Sequence, residues 1–473
     1  MSNVYQINKQ FTMKSEITER TLAISEAFGI SLDDEQVFTI YDNLELNVKQ
    51  GDVIYITGDS GSGKSLLLKE LRKLLPNGLS TNELTIDPES TIIDGVGRNI
   101  DEALYFLSLV GLNDAFIFLR KYKELSDGQK YRFQLAKLLE SNADSWFIDE
   151  FCALLDRETA RVVSFNIQKM ARKFNKTLVV ATTHNDLLQD LYPSIVVTKG
   201  IENDVKIERF QIPAECQCSL IKDLVLEEGT LDDYKVLARF HYRDARIAVP
   251  DKIYKFTNSR KEVVGVIVYV YPFLALAGRN QVTDRYKKAT SEVAKLLNKE
   301  VSMISRVVLH PKYRGIGLGA KMIRDTLNLT GKRYVEALTV MGRFNPFNEK
   351  AGLRKVEYKQ NDRYKGVRNQ LKLLGWDFTM ASSRQYNLEK LNELDEATYE
   401  AIANDIIKKV RQAKDGGVRG SGIKKKASER SVADYSKEEV AAMIKEVVPK
   451  EKNYYIWENP NWVAEEVENE VAS

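Results

Sequence analysis

The residues best suited to chemistry lie in a glycine-rich loop between an apolar strand and a helix. Residues 52–58 read as a short apolar strand, Gly58–Ser65 has the sequence GDSGSGKS, and a helical pattern follows over 66–75. Glycines let successive backbone N–H groups turn toward one phosphate, and the positive end of the helix points to the same place. Lys64 can reach the β and γ phosphates, and Ser65 can offer a hydroxyl to Mg²⁺. The loop therefore predicts a nucleoside triphosphate site.

Four short motifs follow the loop in the chain. Residues 125–129 read LSDGQ at the start of a helical pattern, and residues 145–150 read SWFIDE, an apolar strand that ends in two carboxylates. Residues 153–156 read ALLD, and a second strand over 177–183 ends in His184. In their order and in their strand-to-loop context, these motifs resemble those of the ABC ATPase family.

The resemblance implies a role for each motif. Asp149 would hold Mg²⁺, directly or through water, and Glu150 would polarise the attacking water as a general base. His184 stands at the place of the family's switch histidine, so Glu150 and His184 are the expected catalytic residues. Ser65 and Asp149 are the expected Mg²⁺ ligands. The expected ATP-binding residues are Gly58, Ser60, Gly61, Ser62, Gly63, Lys64, Ser65, Asp94, Ser126, Gly128, Gln129, Asp149 and Asp156.

Two positions depart from the family pattern. Asp127 stands where the signature usually has glycine, and Asp94 occupies the position at which a Q-loop glutamine is expected. The segment between Lys64 and Ser126 is also short for a transporter of this family. Because that region couples transporters to their membrane subunits, its shortness favours the soluble branch, whose members more often act on nucleic acid.

The resemblance also implies a homodimer. In this family the signature of one subunit completes the nucleotide site of another, so Ser126 and Gly128 would cap a γ phosphate held by the partner's Lys64. One set of motifs per chain therefore predicts a two-fold dimer with two ATP molecules at its interface. Two aromatic residues, Phe28 and Phe38, are open candidates for stacking on adenine.

A second glycine-rich turn lies in the middle of the chain. An apolar strand over 303–309 leads through His310-Pro311 into Arg314–Gly319, RGIGLG, and a helical pattern follows over 320–329. With the later segment Asn345–Leu353, NPFNEKAGL, this arrangement resembles the coenzyme A loop of the GNAT acetyltransferase superfamily. The resemblance covers roughly residues 225–375.

The GNAT resemblance implies a thioester whose pyrophosphate lies on backbone amides of the loop, while a strand N–H stabilises the oxyanion. The expected cofactor is acetyl-CoA or another acyl-CoA. The expected acyl-CoA-binding residues are Val307, Val308, Arg314, Gly315, Ile316, Gly317, Leu318, Gly319, Ala320 and Asn345. The general acid and base are not identified, because residues 345–352 contain no tyrosine; Glu336 and Tyr334 are the replacements that can be named.

Length and composition set the framework that must position these sites. At 473 residues, with 43% hydrophobic and 29% charged residues, the chain predicts two or three globular domains. We expect an α/β fold: an ABC-type phosphate-loop domain over 1–222, a GNAT-like α/β domain over 223–378, and a mostly helical tail over 379–473. A flexible basic linker is expected near 414–431.

Charge is distributed unevenly along the chain. The net formal charge is +3 overall, but residues 1–240 carry −10, residues 241–380 carry +16 and residues 381–473 carry −3. A basic module of this kind favours a polyanion, so DNA or RNA is the expected partner. Neutralisation by the acidic N-terminal domain is the alternative.

The sequence favours a cytoplasmic protein without membrane contact. The apolar run 263–277 is too short for a membrane helix and too rich in β-branched residues. Residues 1–12 lack the plan of a secretory signal, and the chain has only three cysteines. Cys216 and Cys218 could ligate a metal with His241, although ordinary thiols are the favoured interpretation.

Two functions are favoured at this level, and a third, acylation of a protein or a small amine, leaves the basic module unexplained. The first is an ATP-hydrolysing dimer whose GNAT-like module transfers an acyl group to a nucleic-acid base, in an arrangement similar to phage and archaeal proteins that join an ABC ATPase to a predicted acetyltransferase. The second is an ATP-driven DNA- or RNA-binding protein whose GNAT-like module has no chemistry.

Overall fold

The computed structural model describes residues 2–32, 36–200, 204–240, 247–288, 290–339, 346–358, 362–418, 434–448 and 452–463. The helices are α1 (Glu19–Phe28), α2 (Lys64–Leu74), α3 (Ile100–Leu109), α4 (Ala115–Phe118), α5 (Asp127–Glu140), α6 (Arg157–Lys173), α7 (Leu188–Leu191), α8 (Ser219–Lys222), α9 (Leu231–Ala238), α10 (Ser291–Glu300), α11 (Leu318–Leu327), α12 (Phe347–Lys350), α13 (Lys365–Leu373), α14 (Arg384–Asn392), α15 (Glu396–Val418) and α16 (Lys437–Val447). The strands are β1 (Ser2–Met13), β2 (Gln36–Lys49), β3 (Val53–Gly58), β4 (Gly78–Ser80), β5 (Ser145–Ile148), β6 (Thr177–Ala181), β7 (Ile195–Lys199), β8 (Val205–Arg209), β9 (Val225–Glu228), β10 (Pro250–Thr257), β11 (Val263–Val270), β12 (Val301–Leu309), β13 (Tyr334–Thr339), β14 (Arg354–Val356) and β15 (Asn453–Glu458). Within these ranges no helix has both the length and the apolar character needed to cross a bilayer.

The first sheet has six strands in the order β4-β5-β6-β3-β7-β8. Neighbouring strands are parallel except β7 and β8. Strands β3, β5 and β6 are buried along nearly their whole length, as is typical of parallel strands covered on both faces. Helices α3, α5 and α6 pack on one face, and α2 packs on the other with part of β1 and β2. The predicted α/β fold of the first domain is confirmed.

Strands β1 and β2 pair as a long antiparallel arm, and α1 lies in the segment of chain that connects them. The half of the arm near the sheet is buried through residues such as Ile7, Tyr41 and Leu46. The far half is exposed, and α1 has no buried residue. The arm therefore projects from the first sheet beyond its hydrophobic core.

The second sheet has seven strands in the order β14-β15-β13-β12-β11-β10-β9. Its one parallel pair among the described residues is β12 and β13, and they pair only over residues 301–304 and 334–337. Beyond Ile304, β12 continues along β11, while β13 continues along β15. The two strands thus diverge, and the glycine-rich turn follows the end of β12.

The segment after residue 378 differs from the expected helical tail. Helices α14, α15 and α16 pack with α13 in a separate small core. However, β15 returns to the second sheet and lies between β13 and β14. Its sequence NYYIWE consists largely of aromatic and β-branched residues, and Tyr454, Tyr455 and Ile456 are buried. In the region expected to be a linker, α15 continues to Val418, and residues 419–433 lie outside the described residues.

The two sheets are joined through helix α6. Its residues Val162 and Phe165 belong to the same hydrophobic cluster as Ile316 of the second glycine-rich turn and Tyr313 just before that turn. Val163 and Ile167 of α6 pack in the core of the first sheet. Val162 and Phe165 lie on another face of the helix and pack in the core of the second domain. The helix therefore links the two domains directly.

Candidate functional site

The phosphate loop, the two carboxylates after β5 and His184 lie at one edge of the first sheet. Strand β6 lies between β3 and β5, and all three are parallel. The phosphate loop follows β3, Asp149 and Glu150 follow β5, and His184 follows β6. Because the carboxyl ends of parallel strands meet at one edge, the fold brings these motifs together.

The phosphate loop has a backbone that requires glycine at two closely packed positions. Gly58 has φ +137°, and a Cβ there would lie 2.0 Å from the carbonyl oxygen of Lys199. Gly63 has φ +103°, and a Cβ there would lie 2.7 Å from the Cγ2 atom of Ile40. Any side chain at either position would displace the neighbouring structure.

The loop holds polar groups that suit a phosphate. The Lys64 ammonium donates to the carbonyl oxygen of Gly58 at 2.9 Å and to that of Asp59. Burial lowers the pKa of Lys64 from its ordinary value. The hydroxyl of Ser62 is buried and has no hydrogen-bond partner among the described residues. An anion in the loop would give the Ser62 hydroxyl a partner and the Lys64 ammonium a countercharge.

Ser65 and Asp149, the two expected Mg²⁺ ligands, are in direct contact. The Ser65 hydroxyl donates to Asp149 Oδ1 at 2.9 Å, so the loop and the end of β5 are in contact. A hydroxyl and a carboxylate fit Mg²⁺, which takes oxygen ligands and retains several waters. Glu150 is exposed beside this pair, and its N–H donates to Asp149 Oδ1 at 3.0 Å. Its φ of +47° is unusual for a residue other than glycine.

His184 lies on a loop that is tied to β3. Its carbonyl oxygen accepts a hydrogen bond from the Tyr55 hydroxyl, and its N–H donates to Thr182 Oγ1 at 3.2 Å. The next residue, Asn185, accepts a hydrogen bond from Thr57 at 2.7 Å. The backbone around the histidine is therefore fixed to the strand that leads into the phosphate loop.

The signature and the ALLD motif pack on each other. A Cβ on Gly128 would lie 3.4 Å from Leu155 Cδ2 and 3.5 Å from the carbonyl oxygen of Leu154. Ser126 is exposed, and its N–H donates to Gln129 Oε1 at 3.1 Å. Within the described residues, no hydrogen bond joins residues 126–129 to the phosphate loop of the same chain. The expected ATP-binding residues thus form two separate groups.

Two further expected residues have local structural contacts. Asp156 is the N-cap of α6 and accepts hydrogen bonds from Thr159. Asp94 is exposed and accepts a hydrogen bond from the Thr91 hydroxyl. Among the described contacts of Asp94, none reaches the Ser65–Asp149 pair.

The aromatic candidates for stacking on adenine lie on the β1–β2 arm, and the structure adds a third, Phe11, to Phe28 and Phe38. Phe28 is 72% exposed on α1, and Phe38 is 48% exposed on β2. Phe11, directly opposite Phe38 on β1, is equally exposed. Ile40, two residues after Phe38, reaches Gly63 of the phosphate loop. The sequence does not indicate Phe11 as a candidate, because its position opposite Phe38 depends on the register of β1 and β2.

The second glycine-rich turn has one face against the first domain. The Arg314 guanidinium donates to the carbonyl oxygens of Leu309 at 3.2 Å, Asn113 at 3.1 Å and Phe240 at 3.0 Å. A Cβ on Gly315 would lie 2.9 Å from the Asn166 amide nitrogen on α6. Arg314, which was expected to bind acyl-CoA, therefore joins the two domains through its side chain.

The other residues expected at the acyl-CoA site are placed unevenly. Gly317 has φ +87°, and a Cβ there would meet no atom within 4 Å, so this part of the turn is open. Gly319 packs against Leu309, whereas Ile316, Leu318 and Ala320 are buried in the core. Val307 and Val308 lie on the diverging part of β12, and Asn345 lies outside the described residues.

Glu336 is not available as a general base, because its carboxylate is already paired. It is fully buried and receives two hydrogen bonds from Arg279 and one from Tyr454. Tyr334 donates to Glu458 at 3.0 Å. Both replacements named for the missing acid and base are therefore engaged in contacts within the second sheet.

The fold and the assembled loop define a phosphate-loop nucleotide-binding domain. A family model described as "ABC transporter" matches residues 41–93. The first part of the chain is thus an ABC-type ATP-binding domain.

Similar proteins include the alpha-hemolysin translocation ATP-binding protein HlyB of Escherichia coli, which is 29% identical over 34% of this chain and 28% of its own length. The methionine import ATP-binding protein MetN of Clostridium tetani is 28% identical over 34% of this chain and 62% of its own length. The chain therefore spans less than two thirds of these relatives. A solved dimeric ATP-binding cassette, MJ0796 bound to ADP and Pi, is 19% identical with a TM-score of 0.34, over 45% of this chain and 99% of that one.

Proposed function

We propose that this chain is an ABC-type ATPase that works as a two-fold homodimer. The observation that carries the proposal is the 2.9 Å hydrogen bond from Ser65 to Asp149, with Glu150 exposed beside it. It joins a hydroxyl and a carboxylate at the phosphate loop, and Glu150, the next residue after Asp149, offers a second carboxylate.

Each group has a task in hydrolysis. Lys64 turns its ammonium from the two loop carbonyls to the phosphates, and the loop amides with Ser62 orient the γ phosphate. Ser65 and Asp149 would hold Mg²⁺, which supplies positive charge to the phosphates. Glu150 orients the water and accepts its proton. His184, fixed to β3 through its backbone, lies at the same edge of the sheet.

A second copy supplies the missing half of each site. Ser126 and Gly128 are packed with the ALLD motif and have no described hydrogen bond to their own phosphate loop. In a two-fold dimer, the Ser126 hydroxyl and the Gly128 amide of one copy would contact the γ phosphate held by the other. Phe11 or Phe38 on the β1–β2 arm would stack on the adenine.

Replacement of Glu150 by Gln tests this proposal. E150Q removes the proton acceptor and keeps the shape, so ATP turnover should fall by about 10²- to 10⁴-fold while ATP binding remains. ATP should then trap a dimer that analytical ultracentrifugation detects. The control variant E102Q changes a carboxylate on α3 that pairs with Arg98, and it should hydrolyse ATP at the parental rate. Parental turnover in E150Q would refute the assignment of the base.

For the second domain, we propose acyl transfer from acyl-CoA to a base of DNA or RNA. Three observations support this. Gly317 leaves an open turn at the N-terminus of α11, where amides can bind a diphosphate. Strands β12 and β13 diverge after Ile304, which frees backbone groups of β12 for a thioester. The net charge of +16 over 241–380 suits a nucleic acid.

A Gly317→Glu variant tests coenzyme binding. The new carboxylate would lie in the open space of the turn and repel a diphosphate, so calorimetry should detect acetyl-CoA binding in the parent and none in G317E. Gly331→Glu is the matched control, because Gly331 also has positive φ and no neighbour within 4 Å. Mass spectrometry of nucleosides from cells with and without the protein would then identify the acylated base.

A second candidate function follows from the closed face of the turn. Arg314 is engaged by three carbonyls, Gly315 is covered by Asn166, and Glu336 is locked in an ion pair. These contacts favour an ATP-driven protein that binds DNA or RNA through a GNAT-like module without transferase chemistry. Absence of acetyl-CoA binding in the parent chain would select this function.

A further inference from the structure

Lys312 of the second domain forms an ion pair with the ALLD motif of the first domain. Lys312 lies in a short 3₁₀ helix, Pro311–Tyr313, immediately before the second glycine-rich turn. Its ammonium is 3.1 Å from Asp156 Oδ1 and 3.3 Å from Glu158 Oε2. Asp156 ends the ALLD motif, and Glu158 is in the first turn of α6. A single cation therefore bridges the end of this motif and the start of the helix.

The contact belongs to a broader junction that holds Lys312 in place. Arg260 donates to Glu158 Oε1 at 2.6 Å, so two cations of the second domain contact this carboxylate. On the other side of Lys312, Arg314 donates to the Asn113 carbonyl, and Tyr313 is buried in the cluster that includes Phe165. Because the two residues that follow Lys312 are anchored, the backbone that carries its side chain is held against the first domain.

Electrostatics favour a persistent contact. Lys312 is 38% exposed, and Glu158 is 23% exposed. Although burial lowers it, the contacts with Asp156 and Glu158 raise the pKa of Lys312 above its ordinary value. The hydrogen bonds from Thr159 and the contact with Lys312 together lower the pKa of Asp156, against the effect of burial. The Lys312–Asp156 pair is therefore charged at neutral pH.

The other side of the ALLD motif packs on the signature. Leu154 and Leu155 pack against Gly128 of the signature. Arg132, on the same helix as Gly128, donates to the carbonyl oxygen of Gly128 at 3.2 Å. The signature and the ALLD motif thus form one packed unit, and Lys312 contacts that unit from the second domain.

We propose that Lys312 is a positioning residue for ATP hydrolysis: it fixes Asp156, and through it the signature, so that the second domain senses and controls closure of the ATP dimer. This inference rests on the proposed dimeric ATPase. It assigns to the second domain a regulatory contact that does not depend on acyl transfer or nucleic acid.

Steady-state ATP hydrolysis by the full-length chain tests the inference. K312E places a carboxylate against Asp156 and Glu158, so kcat should fall at least about threefold, with KM for ATP unchanged within about twofold. K312R keeps the charge and should restore most of the rate. K321E is the matched control, since Lys321 pairs with Asp325 on α11 of the same domain, and it should have parental kcat.

Hydrogen exchange separates coupling from a merely structural role. In the E150Q background, ATP should slow exchange of amides in residues 311–319, and K312E should abolish this ATP effect while leaving their exchange without ATP unchanged within about twofold. A parental kcat in K312E, or an ATP effect that persists in it, would overturn the inference alone. A parent chain that does not hydrolyse ATP would overturn the proposed function and this inference with it.

Discussion

Glu336 and Arg279 form an ion pair in the interior of the second domain. Arg279 Nε donates to Glu336 Oε2 at 3.0 Å, and Nη2 donates to Oε1 at 2.6 Å. The Tyr454 hydroxyl donates to Oε2 at 2.9 Å. The exposed fractions of the Arg279 and Glu336 side chains are 1% and 0%. Replacing Glu336 with Gln leaves a guanidinium buried without its countercharge.

The geometry sets the size of the expected effect. Breaking a buried pair by removing one charge costs about 3–5 kcal/mol of stability, which corresponds to roughly two to three and a half orders of magnitude in an opening equilibrium. Y454F removes one hydrogen bond to a charged group and should cost about 1.5–3 kcal/mol. The double variant R279M/E336L removes both charges and should cost less than E336Q.

Amide hydrogen exchange measured by mass spectrometry gives the effect for each sheet separately. Peptides from β13 and β15 should exchange about 10²-fold faster or more in E336Q, while the β3 peptide of the first sheet serves as an internal reference and should be unchanged. Parental exchange of β13 in E336Q would refute the ion-pair reasoning. So would a larger loss of protection in R279M/E336L than in E336Q.

Three further outcomes are expected. His184→Ala should lower kcat for ATP at least about tenfold with little change in ATP binding, measured by steady-state kinetics and calorimetry; equal losses in both would contradict a role confined to turnover. Affinity of the full chain for DNA or RNA should fall about 10³-fold or more between roughly 50 and 200 mM salt if about six phosphates are contacted, and a salt-independent affinity in fluorescence anisotropy would exclude a phosphate-backbone interface. Gly58→Ala should abolish ATP binding because its Cβ would lie 2.0 Å from the Lys199 carbonyl oxygen, whereas Gly61→Ala, with no atom within 4 Å of the new Cβ, should retain more of it in the same calorimetric assay.

The first domain could be predicted from sequence because its determinants are local. Buried parallel strands read as continuous apolar runs, and each of β3, β5 and β6 is followed at once by its polar motif. Parallel order then brings Ser65 and Asp149 together without further information. The aromatic residue that would stack on adenine could not be predicted in the same way, because Phe11 and Phe38 become neighbours only through the register of β1 and β2.

The contacts between domains could not be predicted from sequence. Arg314 was assigned to a coenzyme from its place in a glycine-rich turn, but its partners Asn113 and Phe240 are distant in the chain. No sequence pattern around Lys312 indicates its role, because its carboxylate partners, Asp156 and Glu158, lie in the first domain. Strand β15 has the residues of a strand, but its partners β13 and β14 are separated from it by the helices of the small core. Such pairings depend on tertiary structure and not on local pattern.

The position of β15 has a consequence for how the protein is made. The second sheet has a gap between β13 and β14 until residues 453–458 have been synthesised, so both strands expose unpaired edges while α13–α16 are being added. The small helical core, whose contacts are nearer in sequence, can form during this interval. A chain interrupted before β15 would carry a complete ATP-binding domain beside an open sheet prone to aggregation. Insertion of this strand thus makes the second domain a late-folding unit, whose sheet is completed only after residues 453–458 have been synthesised.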